Sequence, residues 1–563
     1  MVTSLPPFLI FYIGALLVAL TNGRVRSAIL LAIPLVGAAN AFFLSEASAV
    51  TYELFDQTLV LVRVDKLSLL FDYLFHLAAF IGIIYSLHLR DRLQPVAAVI
   101  YAGSALGAVH AGDLLTLFVF WEVLAVSSAF LVLARGTAKA RSSAMRYLII
   151  QVLSGVTLLA GVLVRVGETG SIAFDYIGLE GLSGALIFLA FGIKCAFPLL
   201  HNWLTDAYAE ATPTGSVFLS AFTTKVAVYA LARGFPGTEA LVYIGATMTM
   251  FPIFFAVIEN DLRRVLAYSM INQIGFMVTG IGLGTALAIN GAVAHAFNDV
   301  IFKGLLFMSM GAVLHMTGRI NGSELGGLYK SMPITAGFCI VGAASISAFP
   351  LFSGFVSKSM VMVAALEEGH PIVWLALLFA SAGVFHHAGI KIPFFAFFAH
   401  DSGIRTSEPP RNMLIAMGIA AAICIFNGSY PWVLYSLLPF PVDYAPYTAA
   451  HVLAQSQLLF FSALAFCWLK LTGLYPPELV SINIDAEWVY RRLLPVGVAR
   501  LVEAGGRIRA RLLEAAERRF DAFVATVFRH HGPQGILART LPPGITALWV
   551  AVLLGFTLFL YYI

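Results

Sequence analysis

Long apolar runs recur along almost the whole chain, and they constrain its fold more than any other feature. A helix needs about 20 predominantly apolar residues to cross the hydrocarbon core of a bilayer. Backbone groups find no water inside that core, so spanning segments are helices unless they close into a barrel. The sequence predicts an all-α polytopic membrane protein with about 14–16 transmembrane helices, from sixteen apolar runs: residues 7–22, 27–45, 67–88, 94–110, 114–133, 144–165, 182–200, 213–232, 240–258, 265–283, 286–315, 335–366, 371–399, 412–437, 449–472 and 543–562.

Composition supports the same class of protein and argues against several others. The chain is 60% hydrophobic and 11% charged, whereas soluble domains carry about 25% charged residues. It contains no GxGxxG after a strand, no P-loop, no HExxH and no GxSxG, so no soluble-enzyme signature is present. The four cysteines lie in apolar runs without metal spacing, which predicts core residues and no metal site. Basic residues do not alternate with aromatic ones outside the apolar runs, so nucleic acid is not an expected partner.

Two segments depart from the apolar pattern. Residues 48–64 alternate apolar and polar side chains, which predicts a short extramembrane hairpin. Residues 484–540 place arginines among leucine, valine and alanine at helical spacing, which predicts an amphipathic helix interrupted at Gly505-Gly506. This helix is expected either on the cytoplasmic surface and along partner subunits, or packed laterally on its own bundle.

The connections between the runs predict an orientation. Arginine and lysine cluster in alternate connections, for example at Arg90 and Arg92 and at Arg263 and Arg264. The positive-inside rule makes these connections cytoplasmic. An even number of spans then places both termini on the outer side of a bacterial inner (cell) membrane.

One four-residue sequence occurs twice, each time inside a long apolar run. Residues 196–199 and 348–351 both read Ala-Phe-Pro-Leu. Proline removes a backbone hydrogen bond and disturbs the preceding turn, so the repeat predicts broken helices at Pro198 and Pro350. Broken helices at matching places in two halves of a chain are typical of transporters.

Glu122 and Lys194 lie within apolar runs that lack other charges. A lysine at the centre of a membrane helix costs about 2.5–3.5 kcal/mol on insertion scales, and an unpaired buried carboxylate is also unfavourable. We expect the two to pair across helices. Opening such a pair would let the lysine release its proton, which makes a proton gate. The alternative is a fixed ion pair that only orients the helices.

Further ionisable residues follow in later runs. His295, Asp299 and Lys303 are four residues apart, so they share a helix face over about 12 Å and suggest a proton relay; a structural role is the alternative. Lys225 and Lys358 are flanked by full apolar runs, where the alternative is snorkelling to the interface.

Other ionisable residues are less clearly placed. Lys391, His386 and His387 lie near a run's end and are possible additional members of the relay. Asp72 is a buried acid for which the sequence indicates no partner.

Several stretches together resemble the proton-translocating antiporter-like membrane subunits. They are GIKCAFPLLHNWLTDAYAEATPTGSVFLSAFTTKVAVY, ENDLRRVLAYSMINQIGFM, HAFNDVIFKGLLFMSMGAV and FPLFSGFVSKSM, in that order. This family includes the antiporter-like subunits of respiratory complex I and the large subunits of Mrp-type cation/proton antiporters. FFAFFAHDSG, NIDAEWVYRR and the length most resemble the D-type subunits of Mrp antiporters or a D-like relative.

The resemblance implies two inverted five-helix repeats, each with a broken helix, and no cofactor of the chain's own. It implies that Glu122 and Lys194 form the fifth- and seventh-helix pair and that Lys225 is the eighth-helix relay lysine. It implies that His295 and Lys303 form the eleventh-helix relay and that Lys358 is the exit residue. Asp299 stands where some relatives carry a histidine or an uncharged residue.

The expected organisation has six parts. They are residues 1–93 (N-terminal helices with an outer hairpin), 94–233 (first antiporter repeat), 240–400 (second antiporter repeat), 412–472 (C-terminal transmembrane helices), 484–540 (amphipathic lateral helix) and 543–563 (last transmembrane helix).

The expected function is that of a proton-conducting subunit in a multisubunit Na⁺ or K⁺:proton antiporter, with other membrane subunits as partners. We do not expect an enzyme in its own right, although a place in an NADH:quinone oxidoreductase-like translocase stays open. The alternatives are a proton-pumping subunit of a complex I-like or membrane hydrogenase complex, a proton-conducting partner of an inorganic-carbon uptake system, and a scaffold with purely structural ion pairs.

Overall fold

The computed structural model describes residues 5–44, 49–54, 57–481 and 483–563. The chain divides into two compact units, one up to Asp485 and one from Ala486 onward. The helices in chain order are α1 (Pro7–Leu20), α2 (Gly23–Ala41), α3 (Lys66–Ser86), α4 (Leu93–His110), α5 (Leu114–Leu133), α6 (Ala138–Thr169), α7 (Gly181–Lys194), α8 (Asn202–Glu210), α9 (Gly215–Ala221), α10 (Thr223–Gly234), α11 (Glu239–Ile258), α12 (Leu262–Leu283), α13 (Ala286–Thr317), α14 (Pro333–Ile346), α15 (Ser353–Glu367), α16 (Pro371–Val384), α17 (Arg411–Ser429), α18 (Pro431–Tyr435), α19 (Ala449–Leu471), α20 (Leu494–His531) and α21 (Pro543–Tyr562).

The predicted all-α polytopic fold is confirmed. Among the described residues, 13 helices are long and apolar enough to cross a membrane, and α1, α7 and α14 are shorter apolar helices. Together they match the sixteen predicted runs one for one. The run at 286–315 is the single unbroken helix α13. α12 and the α9–α10 segment are almost entirely buried, so they form the middle of the bundle.

The predicted hairpin joins α2 to α3. Strands β1 (Ala49–Leu54) and β2 (Gln57–Arg63) pair antiparallel; residues 45–48 and 55–56 lie outside the described residues. Asp65 then caps α3 by accepting a hydrogen bond from the Ser68 N–H at 2.9 Å. Burial opposes ionisation of Asp65, but the Arg233 guanidinium and the Ser68 N–H outweigh it and lower the pKa of this carboxyl. We call this side of the bundle, where α3 begins and α4 ends, the hairpin end.

Both predicted helix breaks are present, and their backbones are alike. α7 ends at Lys194 and α8 begins at Asn202, while α14 ends at Ile346 and α15 begins at Ser353. Ala196, Leu199, Ala348 and Leu351 are the non-glycine residues with positive φ in the described chain, at 62°, 70°, 57° and 72°. The two Ala-Phe-Pro-Leu copies therefore adopt one strained conformation, in which the phenylalanine and the proline lie between two left-handed residues.

Two further discontinuities were not predicted. α9 and α10 are interrupted at Phe222, just before Lys225. α16 continues as π-helical segments at Phe385–Lys391 and Phe394–Phe398. π-helical turns occur frequently at functional sites, and this one carries His386, His387 and Lys391.

The predicted interruption at Gly505-Gly506 is wrong. α20 runs unbroken over 38 residues. A helical glycine costs about 1 kcal/mol relative to alanine, and the flanking arginine, leucine, alanine and glutamate residues favour a helix strongly enough to offset this. Ion pairs one turn apart, such as Arg507 with Glu503 at 3.5 Å, cross the glycine pair on the polar face.

The left-handed backbone at Ala348 yields a testable prediction. A β-branched side chain is strongly disfavoured at positive φ, whereas glycine relieves strain of roughly 1–2 kcal/mol. We expect Ala348→Val to lower the midpoint temperature of thermal unfolding of the purified complex, and Ala348→Gly to leave it unchanged or raise it. Ala344→Val, one turn earlier in regular helix, is the control. Equal effects of valine at both positions would contradict the proposed strain.

Candidate functional site

Five lysine side chains among the described residues lie inside the bundle with at most 1% of their surface exposed. Each ammonium group has an oxygen acceptor from the protein. Snorkelling of Lys225 and Lys358 is thereby excluded, because both are enclosed on all sides. The five are Lys194, Lys225, Lys303, Lys358 and Lys391.

Lys194 and Glu122 are near each other but do not form the expected ion pair. Lys194 Nζ donates to the backbone carbonyl of Trp121 at 2.5 Å and lies 4.3 Å from the centroid of the Trp121 ring. No contact within 4 Å joins it to Glu122. The Trp121 carbonyl and indole ring satisfy the Lys194 ammonium group. The Glu122 carboxylate therefore interacts with Lys194 electrostatically, at longer range.

Glu122 faces a crevice between α4 and α5. The crevice has a volume of about 400 Å³, and Glu122 is the one ionisable residue among those that line it. The Glu122 side chain is half-buried, and its buried Oε1 has no hydrogen-bond partner among the described residues. The carboxylate therefore stands between an accessible space and the enclosed Lys194.

A fully buried ion pair joins Lys225 to Asp299. Lys225 Nζ lies 2.6 Å from Asp299 Oδ2, and both side chains are completely buried. Lys225 also donates to the Ser220 carbonyl at 3.2 Å, at the discontinuity between α9 and α10. Asp299 was predicted to act with His295 and Lys303 on its own helix, but its side chain instead reaches α10.

The ionisable groups of α13 contact three different helices. His295 Nδ1 lies 3.0 Å from Ser357 Oγ on α15, and Lys303 donates to Ser269 Oγ on α12 at 2.9 Å. Lys358 donates to the Ile346 carbonyl at 2.6 Å. Ile346 is the last residue of α14 before the break. His295 interacts electrostatically with Lys225, Lys303 and Lys358, so the predicted set does converge on one region.

The possible additional members lie beyond this region. His387 is buried and interacts electrostatically with Lys303, His386 and Lys391. Lys391 pairs with Glu478 at 3.0 Å and donates to the Val257 and Glu259 carbonyls at the end of α11. His386 is half-buried and stacks on Tyr475. Of the three, His387 and Lys391 continue the succession of charged groups.

Sequence reasoning missed a set of buried hydroxyl groups that includes Thr223, two residues before Lys225. Thr223 Oγ1 lies 2.5 Å from the Tyr101 hydroxyl and 3.5 Å from that of Tyr147, which contacts Ser128 Oγ at 2.8 Å. All four are buried. Hydroxyl groups both donate and accept hydrogen bonds, so this series of four hydroxyl groups can pass protons. Apolar periodicity carries no signal for such residues, because tyrosine and threonine are common in membrane helices.

The arrangement suits protons better than a bound metal. No group of three or more metal-ligating side chains with suitable geometry occurs in the described part of the chain. The acceptors around the lysines are mostly single carbonyls and hydroxyls. Amines, imidazoles and carboxylates spaced in this way hold and exchange protons.

Comparisons with known proteins agree with this architecture. Residues 111–385 match the family described as "NADH:quinone oxidoreductase/Mrp antiporter, TM". The chain is 31% identical to the A/B component of a probable K(+)/H(+) antiporter of Rhizobium meliloti (strain 1021), over 66% of this chain and 40% of that protein. It is 31% identical to the D component of the Na(+)/H(+) antiporter of Alkalihalophilus pseudofirmus, over 52% of this chain and 63% of that protein.

Two further matches complete the comparison. The N component of the NADH-quinone oxidoreductase of Desulforudis audaxviator (strain MP104C) is 34% identical, over 49% of this chain and 59% of that protein. The chain thus spans less than two thirds of each of these relatives. A solved chain from the Mrp complex of Dietzia sp. DQ12-45-1b shares the fold, with a TM-score of 0.68, 21% identity, and coverage of 82% of this chain and 98% of that one.

The described chain is a polytopic bundle with broken helices and five buried lysines. Its central part, residues 111–385, matches the family of antiporter-like membrane subunits.

The Lys225–Asp299 pair gives a prediction about stability. Removing one partner of a buried pair leaves an uncompensated charge and costs about 3–5 kcal/mol. We expect Lys225→Met and Asp299→Leu each to lower the free energy of unfolding by that amount, and the double variant to lose clearly less than the sum. Denaturant unfolding of the purified protein measures this.

An exposed ion pair is the matched control for this cycle. Asp401 contacts Arg405 at 2.8 Å on the surface, and exposed pairs contribute little, so Asp401→Asn should leave stability nearly unchanged. Additive losses in the double variant would show that Lys225 and Asp299 are not coupled.

Proposed function

We propose that this chain is the proton-conducting subunit of a multisubunit monovalent cation:proton antiporter in a bacterial inner membrane. Protons move along a buried axis of ionisable groups. The members are Glu122, Lys194, Lys225, His295, Asp299, Lys303 and Lys358, with His386, His387 and Lys391 as further members. The observation that carries the proposal is the enclosed Lys225–Asp299 pair, with His295, Lys303 and Lys358 in electrostatic contact around it.

Proton entry is assigned to Glu122. Its carboxylate borders the crevice between α4 and α5 and interacts electrostatically with Lys194. A proton taken up by Glu122 cancels the negative charge near Lys194. Lys194 is then an isolated buried cation, which is unfavourable, and it passes its proton inward. The Trp121 carbonyl keeps its hydrogen bond in this step, because a neutral amine still has N–H donors.

Transfer through the middle depends on the hydroxyl chain and the central pair. Thr223 lies two residues from Lys225, on the first turn of α10, and links to Tyr147 and Ser128. A proton arriving at Lys225 strengthens its pairing with Asp299. It thereby weakens the hold of Asp299 on Lys303 and Lys358, both of which interact with the same carboxylate. Protons then leave toward His387 and Lys391.

The relatives support sodium or potassium as the coupled cation, since their names include both Na(+)/H(+) and K(+)/H(+) antiporters. Other membrane subunits are the proposed partners. α20 and α21 have no buried residues in the isolated chain, and each carries apolar side chains that suit a lipid or protein neighbour.

A second candidate is an electron-driven, proton-pumping component of a complex I-like assembly. The 34% identity to the N component of an NADH-quinone oxidoreductase favours it. The same axis serves both functions, so the distinction lies in the energy source. The inorganic-carbon alternative stays a prediction from the sequence.

The test uses membrane vesicles that contain all the subunits encoded by the gene cluster. We expect proton flux that depends on added sodium or potassium, and its loss in Lys194→Ala and Glu122→Ala with assembly intact. Lys330→Ala, at an exposed lysine outside the axis, is the control and should transport normally.

The two candidate functions separate in the same experiment. Flux that appears only with a redox donor would replace the antiporter with the electron-driven pump. Normal transport in both axis variants would overturn the proposed axis.

A further inference from the structure

A second buried cluster of ionisable groups lies in the N-terminal helices. Asp72 and His76 are one turn apart on α3, and His110 is the last residue of α4. His110 Nε2 lies 2.9 Å from Asp72 Oδ1, and His76 Nδ1 lies 3.3 Å from Asp72 Oδ2. All three side chains are at least 98% buried. His110 Nε2 is thus within hydrogen-bond distance of one carboxylate oxygen, Oδ1. The other oxygen, Oδ2, lies near His76 Nδ1 but has no hydrogen-bond partner among the described residues.

The cluster lies outside the axis described above. None of its residues falls within residues 111–385, the part that matches the family, and none contacts the buried lysines. It supplies the partners that the sequence did not indicate for Asp72.

The position of the cluster connects the hairpin end with the interior. His110 Nδ1 lies 3.4 Å from the Arg63 carbonyl on β2. Along α3, Asp72 and His76 lie about 9 Å and 15 Å from the first residue at 1.5 Å per residue. Since α3 is about 31 Å long by the same measure, His76 is near its middle.

One face of the cluster is unpartnered. His76 Nδ1 lies 2.8 Å from the Asp72 carbonyl, while its Nε2 has no hydrogen-bond partner among the described residues. This nitrogen faces Gly37 of α2, where an added Cβ would collide with it. Beside it is a cavity of about 360 Å³ between α2 and α3, which His76 helps to line.

Besides burial, the charge state of Asp72 and His76 depends mainly on the other groups of the cluster. On α3, Tyr73 is the neighbouring titratable group. α1 contributes the Phe11 ring, α2 contributes Gly37 and β2 contributes the Arg63 backbone. The main electrostatic partners of Asp72 are His76 and His110, and the main partner of His76 is Asp72.

Charge balance then determines what the cluster binds. An ionised Asp72 with two neutral imidazoles leaves a net negative charge in a dry interior, which is costly. One proton on either imidazole makes the cluster neutral, and a second proton would create a net positive charge. The cluster is therefore built to hold one proton, with Asp72 as the fixed counter-charge.

We propose that Asp72, His76 and His110 form a second proton-binding site, which takes one exchangeable proton and tunes transport from the hairpin end. Proton binding is independent of the proposed function. The effect on transport rests on that function. Release of the proton leaves the imidazole nitrogen with its lone pair, so no other reactant is required.

Histidine protonation in the full-length protein tests the binding. We would record ¹⁵N spectra of histidine-labelled protein in lipid vesicles between about pH 5 and pH 8, where an unperturbed histidine changes charge. The signals of His76 and His110 are those lost in His76→Gln and His110→Gln. We expect the His76 and His110 signals to change together with pH, as one proton binds to the pair. We expect Asp72→Asn to abolish this shared change.

Control and contradiction follow from the same spectra. His88→Gln, which alters a half-buried histidine beyond the other end of α3, should leave the cluster's titration unchanged. Wild-type His76 and His110 signals that do not change over the whole range would overturn the site. So would independent titrations unaffected by Asp72→Asn, because they would show separate structural histidines.

The pH profile of cation-dependent proton flux tests the role in transport. We expect Asp72→Asn to alter the profile while assembly and the His88→Gln profile stay as in the wild type. An unchanged profile together with a joint titration would overturn the role in transport. Failure of the proposed function would appear separately, as normal flux in Lys194→Ala, and would leave the spectroscopic result standing.

Discussion

Every lysine buried in the bundle is satisfied by protein atoms, and three of the five find their acceptors where a helix ends or is interrupted. Lys358 binds the Ile346 carbonyl at the end of α14, Lys225 binds the Ser220 carbonyl at the α9–α10 discontinuity, and Lys391 binds carbonyls at the end of α11. A regular helix uses these carbonyls for its own hydrogen bonds. The interruptions supply the acceptors, and the lysines supply the donors that make interruptions tolerable inside a membrane.

α13 is the exception, and it explains why the bundle has a centre. It is unbroken over 32 residues, so its ionisable groups obtain partners from side chains on its neighbours. Ser357 on α15 contacts His295, and Ser269 on α12 contacts Lys303. Lys225 on α10 pairs with Asp299. The unbroken helix α13 thus makes polar contacts to three neighbouring helices along its length.

The sequence predicted the parts of the structure that follow from local chemistry. Apolar length located the spans, and the duplicated Ala-Phe-Pro-Leu located both breaks, because proline and bilayer thickness act within a few residues. The contact partners of the charged groups could not be predicted from the sequence. Asp299 was assigned to its own helix face and Lys194 to Glu122, yet these contacts depend on how distant helices pack. The His110–Asp72 contact likewise joins residues whose spacing carries no signal.

The inverted-repeat relationship and the roles of the individual groups remain predictions. The two breaks do share one backbone feature, a positive φ at Ala196 and Leu199 and at Ala348 and Leu351. The side chains around the breaks nevertheless differ. Lys194 precedes the first break, whereas Lys358 follows the second, so each break presents its lysine on a different side.

A single carboxylate at the centre has a consequence for how the two halves interact. Two unit charges 4 Å apart attract by about 4 kcal/mol at an effective dielectric constant of 20. Asp299 has one such charge to share, and Lys225, Lys303 and Lys358 all interact with it. Lys225 comes from the segment before α11, and the other two come after it. In the proposed axis, a proton gained in one half would draw on the charge that stabilises protons in the other, and the halves would be coupled by competition for Asp299.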